Sequence, residues 1–150
     1  MGLQEFLHTE SPSVPDTASI SEAARVLLGH KLSTLPVVNS NGRYLGMFSM
    51  NRLFSLLLPK AVLIEGGISD LGFLPDPMET LCERMREHGS ESVLCVLAED
   101  MPVVHPETPL LEVVLLLYRG ENDIPVVDGA NGRLLGMIAG ADLLRRVCGD

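Results

Sequence analysis

The sequence repeats itself once, and that repeat restricts the folds open to the chain more than any other feature. Leu35–Leu57 reads LPVVNSNGRYLGMFSMNRLFSLL, and Ile124–Val147 reads IPVVDGANGRLLGMIAGADLLRRV, with one extra residue before the second Asn-Gly. Upstream, Pro12–Val14 answers Pro102–Val104, and Glu22 answers Glu112. Each copy spans about 50 residues of the 150, and a segment from roughly Leu58 to Pro102 joins them. A spacing near 90 residues is too long for a solenoid, and two copies are too few. Duplication of one supersecondary unit, with the halves packed face to face, is the natural reading. The chain divides into a first repeat, 1–58, a linker with one helix, 59–91, and a second repeat, 92–150, together one module.

Both copies share an internal order. A short extended piece comes first, then a loop rich in Pro, Ser, Thr and Asp. A helix is expected over Ser21–Gly29 and again over Leu110–Arg119; Ala23, Ala24, Val26, Leu27 and Leu28 form the apolar face of the first. Next comes a strand, LPVV or IPVV, whose proline fits only at a strand's beginning or on its edge. Asn41-Gly42 and Asn131-Gly132 read as type I′ hairpin turns, since Asn and Gly tolerate positive φ. The return strands are RYLGMF and RLLGMI, and a last helix starts near Asn51 or Ala141. The order is β-α-β-β-α, twice, an α+β fold in which the hairpins build two small sheets with helices packed between and across them.

The linker is harder to read. Pro59 ends the helix before it. Met78–Glu87 has helical spacing behind a helix start at Pro75-Asp76-Pro77, and Ser92–Leu97 reads as a short strand or turn. Lys60–Leu74 follows no pattern that places it.

Composition excludes several function classes. The net charge of −9 argues against a phosphate-backbone footprint, and an aromatic content of 4% removes the stacking platform of single-strand binders. The core must therefore be aliphatic, with Met47 and Met137 in it at matching strand positions. No apolar run approaches the roughly 20 residues of a membrane span, and MGLQEFLHTESPS has neither the basic nor the apolar region of a secretory signal. A cytoplasmic protein is expected, with Cys95 and Cys148 as small buried hydrophobes. The four histidines have no metal-ligand spacing, so no metal site is expected. Glu83, Glu87, Glu91, Glu99 and Asp100 read as a solvated acidic face, and no nucleophile has a plausible base, so no catalytic residue is assigned.

These ordered elements carry a resemblance. Leu35-Pro36-Val37-Val38, Asn41-Gly42-Arg43 and Gly46-Met47-Phe48-Ser49 resemble one CBS motif. Ile124-Pro125-Val126-Val127, Asn131-Gly132-Arg133 and Gly136-Met137-Ile138, ending at Asp142-Leu143-Leu144, resemble a second. The chain thus resembles a tandem CBS pair, or Bateman module. The resemblance implies a pseudo-two-fold fold with two clefts between the repeats. It implies a non-catalytic regulatory module that needs no cofactor and binds AMP, ADP, ATP or S-adenosylmethionine. It implies a homodimer, with an enzyme or transporter as the regulated partner.

Within that resemblance, the turn into the last helix follows a pattern like G-h-h-[ST]-x-x-D. A hydroxyl and the first helical N–H groups hold a phosphate, and a carboxylate three residues on accepts both ribose hydroxyls. Each copy has half of it: Ser49 with Arg52 in the acid's place, and Asp142 with Ala139 in the hydroxyl's place. The resemblance combines Asp142 and Ala139 with Thr34, Leu35 and Pro36 in one cleft. The other combines Ser49 and Arg52 with Asp123, Ile124 and Pro125. The Asp142 cleft is the expected adenosyl site, with Arg52, Arg43 and Arg133 as local cations.

Plainer roles stand beside these. Ser49 suits an N-cap, and Asp142 suits a helix N-terminus. Thr17 and Thr108 cap a helix or touch nucleotide, and Arg145 and Arg146 answer a helix dipole and solvent. The split motif leaves an alternative, a ligand-free CBS scaffold for homodimerisation and partner docking. Leu53, Leu56, Leu57, Leu143, Leu144 and Val147 on the last helices are the expected dimer face.

Overall fold

The computed structural model describes residues 2–58 and 78–149. The readings at Pro59, Lys60–Leu74 and Pro75–Pro77 lie outside the described residues. In chain order come a 3-10 turn, Leu3–Phe6, then β1 (Leu7–His8), β2 (Val14–Pro15), α1 (Ile20–Gly29), β3 (Thr34–Val38), β4 (Tyr44–Ser49) and α2 (Met50–Leu57). After the linker follow α3 (Met78–Gly89), a second 3-10 turn at Val93–Val96, α4 (Leu110–Tyr118), β5 (Asp123–Val127), β6 (Leu134–Ala139) and α5 (Gly140–Val147). The expected helices and hairpin strands are all present, with ends shifted by one or two residues.

Two three-stranded sheets form, in the orders β2-β3-β4 and β1-β6-β5. In the first, β2 runs parallel to β3 and β4 antiparallel. Val104 bridges Val126 as Val14 pairs with Val37, so the short extended piece of each copy docks in the same way. Pro36 is tolerated because β2 reaches only Val37 and Val38, which leaves β3 a local edge at the proline. The hairpin turns are not type I′, which needs positive φ at two successive residues. Gly42 and Gly132 lie at φ +81° and +76°, while Lys31 is the one non-glycine with positive φ among the described residues. Each turn has a single left-handed glycine, with the ladder register shifting just behind it.

The repeats are knitted together by exchange. β1, at the start of the chain, pairs with β6 of repeat 2, Leu7 opposite Ile138 and His8 opposite Met137. In the mirror arrangement, Ala98 exchanges both backbone hydrogen bonds with Met47 of repeat 1, each 2.9 Å. Both crossings run over a glycine. A Cβ at Gly136 would lie 2.6 Å from the His8 carbonyl oxygen, and one at Gly46 would lie 2.7 Å from that of Ala98. Only a residue without Cβ lets the backbones approach so closely. The hairpins also meet tip to tip, through Tyr44 N–H to the Gly132 carbonyl and Leu134 N–H to the Gly42 carbonyl, each 2.9 Å.

Each repeat has its own aliphatic core, completed by the other's leading segment. Val14, Ile20, Ala23, Leu27, Leu35, Val37 and Phe48 are joined by Val93 and Val96 from the second 3-10 turn. Val104, Val113, Ile124, Val126 and Ile138 are joined by Leu3 from the chain start. Met47 and Met137 are buried as expected. The cysteines are not: Cys82, Cys95 and Cys148 are exposed. Cys95 sits in a tight turn that already turns Val93 and Val96 inward, and Cys148 lies past the last turn of α5. Leu53 and Leu143, expected on the dimer face, are buried in these cores instead, because each packs under its own sheet.

Candidate functional site

The strand-to-helix turns behave differently in the two repeats. Ser49 caps α2, its Oγ accepting the Arg52 N–H at 3.2 Å. Ala139 occupies the same position before α5 and offers no side-chain cap. Ser19, rather than Thr17, caps α1. Its hydroxyl accepts the Glu22 N–H while the Glu22 carboxylate accepts the Ser19 N–H, both at 3.1 Å. This S-x-x-E capping box was legible in the sequence and holds the Glu22 carboxyl below the usual carboxylate range, chiefly through the backbone bond. Thr108 caps nothing: its Oγ1 accepts the His105 N–H at 2.9 Å, and Pro109 occupies the cap position of α4.

A cleft of about 250 Å³ opens between the repeats where β3 and β6 face one another. Thr34 and Pro36 enter it from repeat 1, and Ala139 and Asp142 from repeat 2, as the resemblance implied. Leu35 does not line it; its side chain is buried in the core beneath. Asp123, expected in the other cleft, borders this one as well. The volume lies near the lower end for small-ligand sites, about 300 Å³.

His8, Ser11 and Pro12 also line this cleft. Nothing in the sequence singles out His8, since the 90-residue offset sets it against Ala98. Only the crossing of β1 onto β6 carries it to Asp142, whose Oδ2 accepts the His8 Nε2 hydrogen bond. Oδ1 of the same carboxylate accepts from Arg145 Nη1 at 2.7 Å. Arg145 therefore answers Asp142 rather than the helix dipole and solvent alone, and Arg146 lies 3.5 Å from Glu5. The Asp123 carboxyl is raised above the usual range, first by burial, then by the Asp142 charge, with His8 pulling the other way. Thr34 Oγ1 is buried with no hydrogen-bond partner among the described residues.

The second cleft, of about 320 Å³, gathers Ser49, Arg52, Thr34 and Asp123 with Asp100 and Glu121. Ile124 and Pro125, expected here, are buried and do not line it. Thr34 and Asp123 occupy equivalent positions in the repeats and stand between the clefts, bordering both. Arg43 and Arg133 reach neither. They line a separate groove at the hairpin tips, each guanidinium lying over the other repeat's turn glycine. Short strands and the tip-to-tip contact carry these arginines away from both clefts. Among the described residues, no three His, Cys, Asp or Glu side chains gather as a metal site would need. No described helix is long and apolar enough to cross a membrane.

Comparison with known proteins follows the same division of the chain. The CBS domain model matches residues 3–59 and 93–149. Among solved structures, the CBS-pair protein CBSX2 of Arabidopsis thaliana superposes with a TM-score of 0.71 at 21% identity, covering 98% of this chain and 94% of that one. A CBS domain-containing protein of Kribbella flavida gives 0.73 at 22%, covering 100% and 99%. CBSX2 has also been solved in complex with AMP, and CbpB, TM-score 0.70 at 15% identity over 99% of this chain and 85% of its own, in complex with c-di-AMP. A curated homoserine O-acetyltransferase of Methanocorpusculum labreanum is 38% identical over 47 residues, 31% of this chain. That match spans only 10% of the transferase.

Proposed function

The chain belongs to the CBS-domain family as a tandem pair, a regulatory and non-catalytic module, and on that premise we propose that it binds an adenosine-containing ligand in the Asp142 cleft. One observation carries the reading. Asp142, in the first turn of α5, opens into the same cleft as Thr34 and Pro36 of the other repeat. A carboxylate there accepts both ribose hydroxyls, and the unpartnered Thr34 hydroxyl supplies a further polar contact. The AMP and c-di-AMP complexes of two structural neighbours support the ligand class.

The electrostatics rank the ligands. Asp123 and Asp142 put two carboxylates in the cleft, while Arg43 and Arg133 lie elsewhere. Each added phosphate is repelled further, so affinity falls from AMP to ADP to ATP, and the cationic sulfonium of S-adenosylmethionine is favoured. A ribose that takes Asp142 Oδ2 displaces His8 from it, so occupancy frees β1 from one of its side-chain ties. That is how the ligand comes to bind two states differently, as any signal requires. The output is a change of shape or of contacts with a second copy, read by an enzyme or transporter in the cytoplasm. Isothermal titration with adenosine, AMP, ATP and S-adenosylmethionine tests the proposal; no heat with any of them at millimolar ligand overturns it.

One feature favours a second reading, a ligand-free scaffold for dimerisation and partner docking. Asp142 is already satisfied on both oxygens, by His8 and Arg145. Under this reading Asp142→Ala alters stability alone. Under the first it abolishes the heat of binding.

A further inference from the structure

Arg43 and Arg133 reach neither cleft, yet the fold brings them together at the junction of the two hairpin tips. Their backbones form an antiparallel bridge, and each side chain lies over the turn glycine of the other repeat. A Cβ at Gly132 would lie 3.0 Å from Arg43 Nε, and one at Gly42 would lie 3.3 Å from Arg133 Nη2. Both arginines line one open groove of about 750 Å³, together with Asn39, Ser40, Asn41 and Asn131. Among the described residues no carboxylate borders this groove, in a chain with 20 Asp and Glu against 11 Lys and Arg. Asp128, the counterpart of Asn39 in repeat 2, accepts the Ala130 N–H at 2.8 Å and does not line it. Neither guanidinium takes part in an ion pair among the described residues.

The rest of the lining donates as well. Asn39 Oδ1 accepts the Asn41 and Arg43 N–H groups, and Asn131 Oδ1 accepts that of Arg133, all at 2.9 Å. Both amides are thereby turned so that their NH2 ends are left to donate. The backbone carbonyls of Asn39, Gly42 and Gly132 are each engaged by a backbone N–H. An anion between the two guanidiniums relieves their mutual repulsion, and each planar fork matches two oxygens of one phosphate. The groove falls within the range of small-ligand sites, about 300–1,000 Å³, and has room for more than one phosphate. We propose that it binds a short chain of phosphate groups, with one end on Arg43, the other on Arg133, and the asparagine amides and Ser40 donating between them. None of its lining residues borders either cleft, so the site does not depend on an adenosyl ligand. One arginine comes from each repeat, and the bound anion therefore ties the hairpins tip to tip.

Isothermal titration of the full chain with inorganic triphosphate, at an ionic strength held constant with sodium chloride, reads the binding directly. The expected result is saturable heat at millimolar triphosphate. Arg43→Met and Arg133→Met each weaken it about tenfold, and the double variant abolishes it. Methionine keeps an apolar stem over the facing turn while removing the charge. Ser40→Glu, at an exposed turn position, sets a carboxylate beside the arginines and also weakens binding, with Tm unchanged or raised, which no folding defect imitates. Asp142→Ala leaves the triphosphate heat intact, so the groove and the adenosyl cleft stand or fall separately. In that variant ATP identifies the source of the phosphates. Heat with ATP that the added double methionine replacement removes makes a nucleotide's tail a ligand, and no heat with ATP leaves the free polyphosphate. A parent chain that gives no heat with triphosphate overturns the proposal. So does heat that survives the double methionine replacement, or heat that disappears in Asp142→Ala.

Discussion

Replacing His8 by Ala separates a ligand-competent cleft from a closed one. The side chains of His8 and Asp142 are 52% and 29% exposed, so solvent screens the contact strongly. A polar contact so exposed contributes about 0.2–1 kcal/mol, well below a buried one. If adenosine must take the carboxylate from His8, that amount is charged against binding in the parent chain and returned in the variant. His8→Ala therefore tightens AMP and adenosine by about 1.4- to 5-fold while costing the fold a similar fraction of a kcal/mol. Asp142→Ala removes binding altogether, and His8→Ala has no further effect in that background, as coupled positions require. Isothermal titration across the four-member cycle, with urea unfolding on the same samples, gives both quantities. An affinity that falls in His8→Ala would refute the competition and make His8 a ligand contact. An unchanged affinity would show that the ribose leaves the His8–Asp142 contact in place.

Three further outcomes follow from the comparison of the repeats. Ala139→Ser gives α5 the cap that Ser49 gives α2, stabilising the chain by about 1 kcal/mol and raising Tm by roughly 3 °C in a thermal scan. Gly136→Ala drives a Cβ into the His8 carbonyl and costs about 1–3 kcal/mol by urea unfolding, whereas Gly29→Ala, which meets nothing within 4 Å, costs nothing. Asp123 has its carboxyl raised in the fold by burial and the Asp142 charge, so folding favours its protonated form and its contribution to stability is lost as pH rises through the raised value. Asp123→Asn consequently raises Tm at pH 7, and thermal scans at descending pH should show that gain shrinking through the carboxylate range.

Much of the scaffold was legible because periodicity and turn chemistry act locally. The LPVV and LGM strands, the helices after them and the cap at Ser49 all follow from residues within one turn or one hairpin, whereas the cap of α1 falls on Ser19 and not on Thr17. The clefts were legible in part. Thr34, Pro36, Ala139 and Asp142 border one cleft, the combination that the family resemblance, and not the repeat spacing, had implied. The side chains of Leu35 and Ile124 turn into the core, because successive strand residues point to opposite faces of a sheet, so the role that the resemblance implied for these strand starts rests on backbone groups. The type I′ reading failed for a different reason. Asn-Gly permits positive φ at both positions, but the shifted register behind the turn needs it only at the glycine.

By itself, the sequence determined that two similar β-α-β-β-α units with aliphatic cores follow one another, with Ser49 in one and Asp142 in the other at the turn into the last helix. Duplication and spacing are properties of the chain, and hydrophobic periodicity acts wherever the units sit. Only the tertiary structure decided what stands against Asp142. His8 is 134 residues away along the chain and reaches it because β1 crosses to the opposite repeat over Gly136. Tertiary structure alone also showed that α3 covers the helix pair of repeat 1, while no described element covers the pair of repeat 2, a difference that arises from packing between distant segments. Contacts of that kind depend on which surfaces remain after each core is filled, and no local pattern records them.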